Sequence, residues 1–556
     1  MRRVFLGLWL GALLLAAMVC VPRPVDAVLT VDLSRVRPLP RLLLGQVIEL
    51  PSSGILQSES KQRQIAALSG GLRGPVSGLI ADFYNWRAPF TPLMELPPAQ
   101  GTRAFENVAT PLEFLRLHGQ LGIEPVFSVN VRGYPAVFRW LPPIGDAPNP
   151  YVMTDTQTLA RDAVDLLTYT NETVQRFTLE NPPRFTSSEY VQAESARIVG
   201  SLDWGVHPLL PPEGVRLPQV RYWLVGNEPN FPLDGFALNP QEFALRYAAI
   251  AGALVQQDRL LNDGAQTIAV GPSLMNLPPE NEFGAARYAQ AIVAAGAPLD
   301  VVGFHPYGNL YGRWYVGADG KYHSYGFADT PAEFTPEQVD TLRANLSGLY
   351  AGYAESAEAL RIATNPKMPL LASEWNPSSW EASFYLRWRG QSMAQALAVF
   401  ESVFSFGRLR VVGANYHTDP LMDYPQSALG QAFALLHERM GDQLLAWHAG
   451  DCFRVYVTRD SVSGQVGVWG LNWCEAARRV RVDADFLGGG AYLWETRGLA
   501  GESLLHGGAE SVGAPSPYGG RVPARVSSIQ FFVLNPQIVL EIPASGWQAI
   551  FLTPLP

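Results

Sequence analysis

The sequence of 556 residues predicts an α/β protein in which a (β/α)8 TIM barrel precedes a C-terminal β-sandwich. Three observations support this fold class. Eight apolar runs of strand length end in polar or aromatic residues. Helix-period segments separate most of these runs, an alternation typical of a parallel sheet covered by helices. From about residue 430 the pattern changes to short strands with Gly, Pro and Asn turns, which favours a sandwich.

The eight predicted barrel strands cover residues 41–50, 75–86, 123–130, 220–228, 267–273, 299–307, 368–376 and 409–417. Helical periodicity covers residues 110–122, 239–261, 335–362 and 391–407. Several of these helical segments begin with Thr or Asn followed by Pro, a pattern that suits an N-cap and a first turn. Eight repeats fit a closed barrel. An open doubly wound sheet is the alternative, although it usually has fewer strands.

The chain is too long for one ordinary core, so we expect more than one domain. The predicted divisions are a signal peptide at 1–27, an N-terminal strand at 28–40 that joins the sandwich, the barrel at 41–430 and the sandwich at 431–556. About 90 residues separate Asn130 from Tyr222, far more than an ordinary connection between barrel strands. We expect this insertion to shape a cleft.

The N-terminus predicts export. Arg2 and Arg3 precede an apolar run at 4–21, and Val25-x-Ala27 is a small-residue cleavage pattern, so we expect a secreted or periplasmic protein cut after Ala27. After that cleavage no membrane association is expected. An uncleaved membrane anchor is the alternative, because the apolar run approaches the length that spans a bilayer.

Three cysteines are present. Cys20 would leave with the signal peptide, whereas Cys452 and Cys474 would remain, either as a disulfide or as two buried thiols. No Cys/His cluster has zinc-site spacing, so no structural metal is predicted.

The net charge is −9 and no basic run is long enough to follow phosphates, which argues against nucleic acid as a partner. The sequence does not predict an oligomeric state.

Two glutamates stand directly at predicted strand ends, Glu228 on the fourth strand and Glu374 on the seventh. Catalytic groups of such barrels lie at the carboxyl ends of the strands, and strands 4 and 7 face each other across the mouth. Two carboxylates on opposite walls are the minimum for cleaving a glycosidic bond. The other strand ends supply a polar and aromatic rim, namely Asp82, Asn85, Trp86, Arg87, Asn130, Asn227, His305, Tyr307, Trp375, Asn376, Asn415, Tyr416 and His417.

The paired glutamates predict a retaining mechanism if their carboxyl groups lie about 5 Å apart. Tyr307 or His305 would keep Glu374 ionised, and Asn227 would bind a substrate 2-hydroxyl. For His305 alone a structural role is the commoner one. We expect Trp375 and Tyr416 to offer stacking faces to a sugar, and Asn130 and Trp86 complete the predicted substrate-binding set. These steps need no cofactor.

Three motifs resemble strands 4, 6 and 7 of the clan-A retaining glycoside hydrolases: "VGNEPN", "FHPY" and "LASEWN". The resemblance implies that Glu228 is the acid/base and Glu374 the nucleophile. "LGIEPVFSVNVRG" and "ADFYNWR" resemble strands 3 and 2 of families 39 and 51, which contain β-xylosidases and α-L-arabinofuranosidases. "GNEPN" is most similar to family 79, the heparanases and β-glucuronidases. The second strand departs from families 51 and 79, because "LRGPVSG" only partly matches their Arg-x-x-Gly-Gly element.

The predicted function is a secreted retaining glycosidase acting on a plant- or matrix-type glycan or oligosaccharide, of the β-xyloside, arabinofuranoside or β-glucuronide class. Two alternatives stay open: a transglycosidase with the same site, and a non-catalytic carbohydrate-binding protein on the same barrel. A uronic acid would require a cationic pocket, for which Arg87, Arg132 and His417 are the candidates.

Overall fold

The computed structural model describes residues 24–47, 59–74, 93–95, 102–104, 111–133, 137–139, 155–173, 175, 217–231, 237–312, 314–316, 322–378, 387–417, 427–488, 490–501, 503–505, 524–534 and 538–555. Among these residues, no helix combines the length and the apolar character needed to cross a membrane. Residues 1–23 of the predicted signal peptide 1–27 lie outside the described residues, as does most of the long insertion before Tyr222.

Eight parallel strands form a closed barrel, in which each strand pairs with its neighbour and the last pairs with the first. In chain order these barrel strands 1 to 8 are Gly45–Val47, Gly71–Gly74, Glu124–Val129, Tyr222–Val225, Ala269–Met275, Val302–His305, Leu370–Trp375 and Val411–His417. The closure excludes the open doubly wound sheet. Seven of the eight strands overlap the apolar runs that predict them.

The second barrel strand is the exception. The prediction placed it at 75–86, whereas the structure places it at Gly71–Gly74, and residues 75–92 lie outside the described residues. This prediction was wrong because "GLRG" has none of the β-branched or aromatic residues that mark a strand, whereas the following run has several. Glycine suits the position, since a Cβ on Gly71 would lie 2.6 Å from the carbonyl oxygen of Glu124.

Helices follow or cover the barrel strands. The α-helices among the described residues are Glu59–Leu68, Pro111–Leu121, Thr156–Thr168, Pro240–Leu261, Ala285–Ala294, Pro336–Ala363, Arg387–Gln391, Met393–Arg408 and Ala428–Arg439. Two of the predicted starts are confirmed by their caps. The Asn239 side chain accepts a hydrogen bond from Glu242 N before Pro240, and Thr335 forms a reciprocal capping box with Gln338 before Pro336.

The barrel interior is apolar at one level and polar at the next. Leu42, Val126, Leu224, Val301 and Leu371 pack together as one aliphatic cluster. Ser128 follows Val126 by two residues on barrel strand 3, and Ser373 follows Leu371 by two residues on barrel strand 7. Both serines therefore face the same interior, because side chains of a strand alternate between its two faces. The barrel therefore has a dry base and a hydrogen-bonding layer nearer its carboxyl end, where the candidate site lies.

The interior also depends on glycine, and this gives a stability prediction. A Cβ on Gly271 of barrel strand 5 would lie 1.9 Å from the carbonyl oxygen of Val301. We expect Gly271→Ala to destabilise the protein by about 3 kcal/mol or more, at the upper end of overpacking costs. Gly252→Ala is the matched control, since Gly252 lies within helix Pro240–Leu261 with no atom within 4 Å of the added Cβ. It should stabilise by about 0.5–1 kcal/mol in urea unfolding. Equal midpoints for the two variants would contradict the expected backbone clash.

The C-terminal region contains two sheets. The larger, in spatial order, has strands Arg37–Pro38, Gln443–Ala449, Phe453–Arg459, Val466–Asn472, Gly546–Pro554, Ala491–Ala500 and Ala524–Leu534. The smaller has Ala27–Leu29, Arg478–Val482 and Ile538–Ile542. Side chains of both sheets share one buried apolar cluster. Residues from the start of the chain thus contribute a strand to each sheet.

A disulfide joins Cys452 to Cys474 within this region, which settles the choice between a disulfide and two thiols. At the other end of the chain, Asp26 is hydrogen-bonded to strand Arg478–Val482 of the smaller sheet. Its backbone N–H donates to Arg479 O at 2.7 Å, and its carboxylate accepts from Arg478 Nη1 at 3.1 Å. Cleavage after Ala27 would remove these contacts.

Candidate active site

Glu228 and Glu374 meet inside the mouth of the barrel. Both are buried, with 8% and 2% of their surface exposed. His305, from the end of barrel strand 6, lies between them: its Nδ1 is 2.7 Å from Glu228 Oε1 and 3.4 Å from Glu374 Oε2. One atom from each of the three residues falls within a span of 4.8 Å. This separation is in the range of the short one that suits a nucleophile and an acid/base, rather than the longer one of inverting enzymes.

The backbone turns sharply to present Glu228. Gly226 and Glu228 both have left-handed conformations, with φ of 77° and 48°. Glycine adopts this region freely, whereas for a glutamate it costs on the order of 1–3 kcal/mol. The strand pairing ends here, since Gly226 N still donates to Val129 O but Pro229 has no N–H to continue a ladder. The apolar half of "RYWLVGNEPN" is barrel strand 4, and its polar half leaves the strand for the site.

Glu374 reaches the interior through an irregularity in barrel strand 7. Its neighbour Ser373 also faces the interior, where Ser373 Oγ lies 3.0 Å from Ser273 Oγ. Successive residues of a regular strand point to opposite faces. The register of strand 7 against strand 8 shifts between Ala372 and Trp375, and such a bulge re-aims a side chain. Two adjacent polar residues therefore both face the site.

Arg73 is the residue that sequence reasoning missed. It lies on barrel strand 2, is fully buried, and donates from Nη1 to Glu374 Oε1 at 2.7 Å. Its Nη2 donates to Asn227 Oδ1 at 2.5 Å and to Ser128 Oγ at 3.0 Å. One guanidinium thus connects barrel strands 2, 3, 4 and 7. The sequence carried a signal for it in "LRGPVSG", the partial match to the Arg-x-x-Gly-Gly element, but the misplaced second strand left Arg73 out of the predicted site.

Tyr307 and His417 hold the other oxygen of Glu374. Tyr307 OH donates to Glu374 Oε2 at 2.9 Å and also lies 2.5 Å from His417 Nδ1, which is itself 3.4 Å from Glu374 Oε2. Burial by itself would raise the pKa of Glu374, but His305, His417 and Arg73 together hold that pKa well below its ordinary value. Glu374 is therefore a carboxylate at neutral pH, as a nucleophile requires.

His417 gives a prediction on pH dependence. In His417→Asn the Glu374 carboxylate loses one of the positive charges that stabilise it, so its pKa should rise. The acid limb of kcat/KM, which reports ionisation of the free enzyme, should then move to higher pH. His448→Asn, in the C-terminal sheet, is the control and should leave the limb in place. An unshifted limb in a folded His417→Asn protein would show that His417 does not act on Glu374.

Glu228, His305 and Glu374 are also close enough to be considered as metal ligands. Arg73 already places a positive charge 2.7 Å from Glu374 Oε1. A cation beside that guanidinium would meet like-charge repulsion. The donor set fits paired carboxylates with a fixed arginine better than it fits a metal.

Two predicted sugar-stacking residues are corrected. Trp375 and Tyr416 are both fully buried and pack edge to face with ring centroids 5.0 Å apart. Each lies on the outer face of its strand, where Tyr416 also contacts Phe433 of helix Ala428–Arg439. The physical reason is the direction of neighbouring side chains on a strand. His417 faces the interior, so Tyr416 before it faces the helices, and beyond the register shift Trp375 faces away from the interior that Glu374 enters. Neither ring can stack on a ligand.

The remaining predicted residues fall into three groups. His305, Tyr307, Asn227 and His417 are brought together around the two glutamates by the contacts given above. Asn130 is placed close by, but its side chain bonds within its own loop, accepting from Arg132 N and Gly133 N and donating to Gly133 O. Trp86 lies outside the described residues, as do Asp82, Asn85 and Arg87.

Comparison with known proteins identifies the fold. No known family model matches the sequence, and no curated protein matches it. Solved structures do match along nearly the whole chain. A family 51 α-L-arabinofuranosidase from Bifidobacterium longum is 14% identical with a TM-score of 0.61, over 95% of this chain and 100% of that one. The family 51 arabinofuranosidase from Xanthomonas axonopodis pv. citri gives 15% and 0.59, over 95% and 100%.

A bifunctional glucanase-xylanase from a metagenome library is 12% identical with a TM-score of 0.56, over 95% of this chain and 99% of that one. The predicted resemblance to clan-A glycoside hydrolases of families 39, 51 and 79 is thereby confirmed at the level of the fold, with family 51 enzymes among the matching structures. At such low identities the likeness concerns the fold, so activity must be argued from the site itself.

Proposed function

We propose that this protein is a retaining glycosidase. The observation that carries the proposal is the pair of buried glutamates from barrel strands 4 and 7, close enough for double displacement, with one held ionised by Arg73. The pKa of Glu374 is lowered although a second carboxyl group, that of Glu228, lies beside it. A pocket that only binds sugar does not require this arrangement, whereas a catalytic site does. This favours an enzyme over the carbohydrate-binding alternative.

In the first step the Glu374 carboxylate attacks the anomeric carbon. The glycosidic C–O bond breaks, and the proton of the Glu228 carboxyl group moves to the leaving oxygen, which gives a glycosyl ester on Glu374. In the second step Glu228, now a carboxylate, takes a proton from water while the water oxygen attacks the anomeric carbon. The ester bond to Glu374 breaks, and the sugar leaves with its original anomeric configuration.

The surrounding residues have supporting roles in this proposal. Arg73 fixes both the Glu374 carboxylate and the side-chain oxygen of Asn227, and we propose that Asn227 binds the sugar 2-hydroxyl. Tyr307 orients Glu374 through its hydrogen bond to Oε2. His305 contacts both carboxyl groups and so fixes their relative position. A transglycosidase would use the same site with a sugar in place of the water.

For the substrate we propose a neutral glycoside, with α-L-arabinofuranosides first and β-xylosides second. Two of the three cations considered for a uronic acid are occupied by protein contacts: Arg132 by main-chain carbonyls and His417 by Tyr307. Arabinofuranosidases are also among the structures that share the fold. A β-glucuronide is therefore the less favoured class.

The test is a panel of 4-nitrophenyl glycosides: α-L-arabinofuranoside, β-xyloside, β-glucoside and β-glucuronide. We expect the arabinofuranoside to give the highest kcat/KM, with the first-formed product retaining its anomeric configuration by NMR. A preference for the glucuronide would overturn the substrate proposal, and inversion would overturn the mechanism. Products formed with acceptor sugars present would separate hydrolysis from transglycosylation.

We also propose that the protein is secreted or periplasmic and that its two C-terminal sheets form a β-sandwich domain. The Cys452–Cys474 disulfide supports an oxidising compartment. N-terminal sequencing of the exported protein tests the cleavage site. Because Asp26 bonds to Arg478 and Arg479, cleavage upstream of Asp26 would preserve contacts that cleavage after Ala27 removes.

A further inference from the structure

Arg132 directs a buried positive charge at the main chain of Glu228. It lies in the loop after barrel strand 3 and is 2% exposed. Its Nη2 donates to the carbonyl oxygen of Glu228 at 3.1 Å, and its Nη1 donates to the carbonyl oxygen of Asn227 at 3.5 Å. These oxygens belong to the two peptide groups on either side of the Glu228 Cα. Arg132 therefore bridges the peptide that enters Glu228 and the peptide that leaves it.

Both peptides have a second anchor. The N–H of Glu228 donates to Ser273 O at 2.9 Å, and the carbonyl oxygen of Glu228 also accepts from Phe231 N at 2.9 Å. With its two flanking peptides fixed, Glu228 is held at φ 48°, a conformation that glutamate adopts only when its surroundings impose it. The backbone angles of a residue set the direction of its Cβ, so these contacts decide where the Glu228 carboxyl group lies.

Arg132 is itself positioned by a turn. Asn130 Oδ1 accepts from Arg132 N at 2.8 Å and from Gly133 N at 2.9 Å, and Asn130 Nδ2 donates to Gly133 O at 2.7 Å. Gly133 has φ 152°, which glycine adopts without steric cost. The predicted substrate contact of Asn130 is thus replaced by a closed turn that directs the neighbouring arginine towards the end of the adjacent strand 4.

We propose that Arg132 is a positioning residue for the acid/base Glu228, one that keeps its carboxyl group in reach of the departing oxygen. This rests on the proposed function, in which Glu228 protonates the leaving group. A general acid matters most when the leaving group is a strong base and little when it departs unaided. Loss of Arg132 should therefore slow the enzyme in proportion to the basicity of the leaving group, an effect that general destabilisation would not produce.

The experiment compares kcat/KM for the phenyl and the 2,4-dinitrophenyl glycosides of whichever sugar is the best substrate. In Arg132→Met we expect kcat/KM for the phenyl glycoside to fall by at least about tenfold more than for the dinitrophenyl glycoside, part of the usual contribution of a general acid. Arg132→Lys keeps the charge but cannot reach both carbonyl oxygens equally well. Its excess loss of kcat/KM on the phenyl glycoside should therefore lie between that of the wild type and that of Arg132→Met. Azide should also raise kcat of Arg132→Met, because it attacks the glycosyl enzyme without needing a base.

The matched control is Arg246→Met. Arg246 donates to Val131 O at 3.4 Å in the same loop and pairs with Glu242 of its own helix. The ratio of the two kcat/KM values in Arg246→Met should therefore stay that of the wild type. An unchanged ratio in a folded Arg132→Met protein would overturn the proposal. If Arg132→Met does not fold, an unchanged ratio of the two kcat/KM values in Arg132→Lys would overturn the proposal. If Glu228→Gln itself shows no dependence on the leaving group, the assignment of Glu228 fails and not merely its positioning.

Discussion

Glu374→Ala should lose at least about 10³-fold in kcat on aryl glycosides, because the covalent step has no other carboxylate to carry it. The fold should survive. The substitution leaves the buried Arg73 without its closest anion, which costs about 3–5 kcal/mol, but Arg73 still donates to Asn227 and Ser128, so we expect a folded, less stable protein. Unfolding midpoints and circular dichroism of the purified variant would establish this before any kinetic comparison. Full activity in a folded Glu374→Ala protein would contradict the proposed mechanism.

Azide separates the roles of the two glutamates. In Glu374→Ala, azide can occupy the space of the lost carboxylate and attack the anomeric carbon directly, which gives a glycosyl azide of inverted configuration. In Glu228→Ala the glycosyl enzyme still forms from an activated substrate, and azide displaces Glu374 from the opposite side. That product has retained configuration, because two displacements have occurred. Products of the same configuration from both variants would mean that the two assignments are wrong.

The sequence was most informative where one physical pattern dominated. Apolar runs ended by polar residues located seven of the eight barrel strands, because burial on both faces of a parallel strand leaves a continuous apolar signature. The glutamates were visible for the same reason. Glu228 and Glu374 interrupt apolar strands at the carboxyl ends, where a barrel places its chemistry.

The sequence was least informative where function depends on local irregularity. Arg73 lies in a glycine-rich strand that propensity does not reveal, and its partner Glu374 reaches the site only through the register shift in barrel strand 7. Strict alternation would instead have sent Glu374 outward once Ser373 faced inward. Alternation counted back from His417 would have excluded Tyr416 from the predicted sugar-binding set, whereas Trp375 faces outward only because of the same register shift. The pairing of Asn130 with its own loop follows from turn geometry that one sequence does not disclose.

Arg73→Met should strongly destabilise the barrel interior. It leaves the Glu374 carboxylate buried without its closest cation and removes the donors to Asn227 and Ser128. Breaking one side of a buried ion pair in this way costs about 3–5 kcal/mol, since an uncompensated charge remains. The double variant Arg73→Met/Glu374→Gln removes both charges and should recover part of the loss. Urea unfolding of the two single variants and the double variant measures this coupling.

The pH dependence of that loss identifies its cause. The pKa of folded Glu374 is depressed, so in the wild type its ionisation adds stability above the unfolded pKa of about 4.3, and this is lost as pH falls through the folded pKa. Without Arg73 the folded pKa rises and that gain is reduced. The difference in unfolding free energy between wild type and Arg73→Met should therefore be largest near neutral pH and shrink in acid. A difference that is constant with pH would assign the loss to packing and the neutral hydrogen bonds, and would remove the argument that Arg73 keeps the nucleophile ionised.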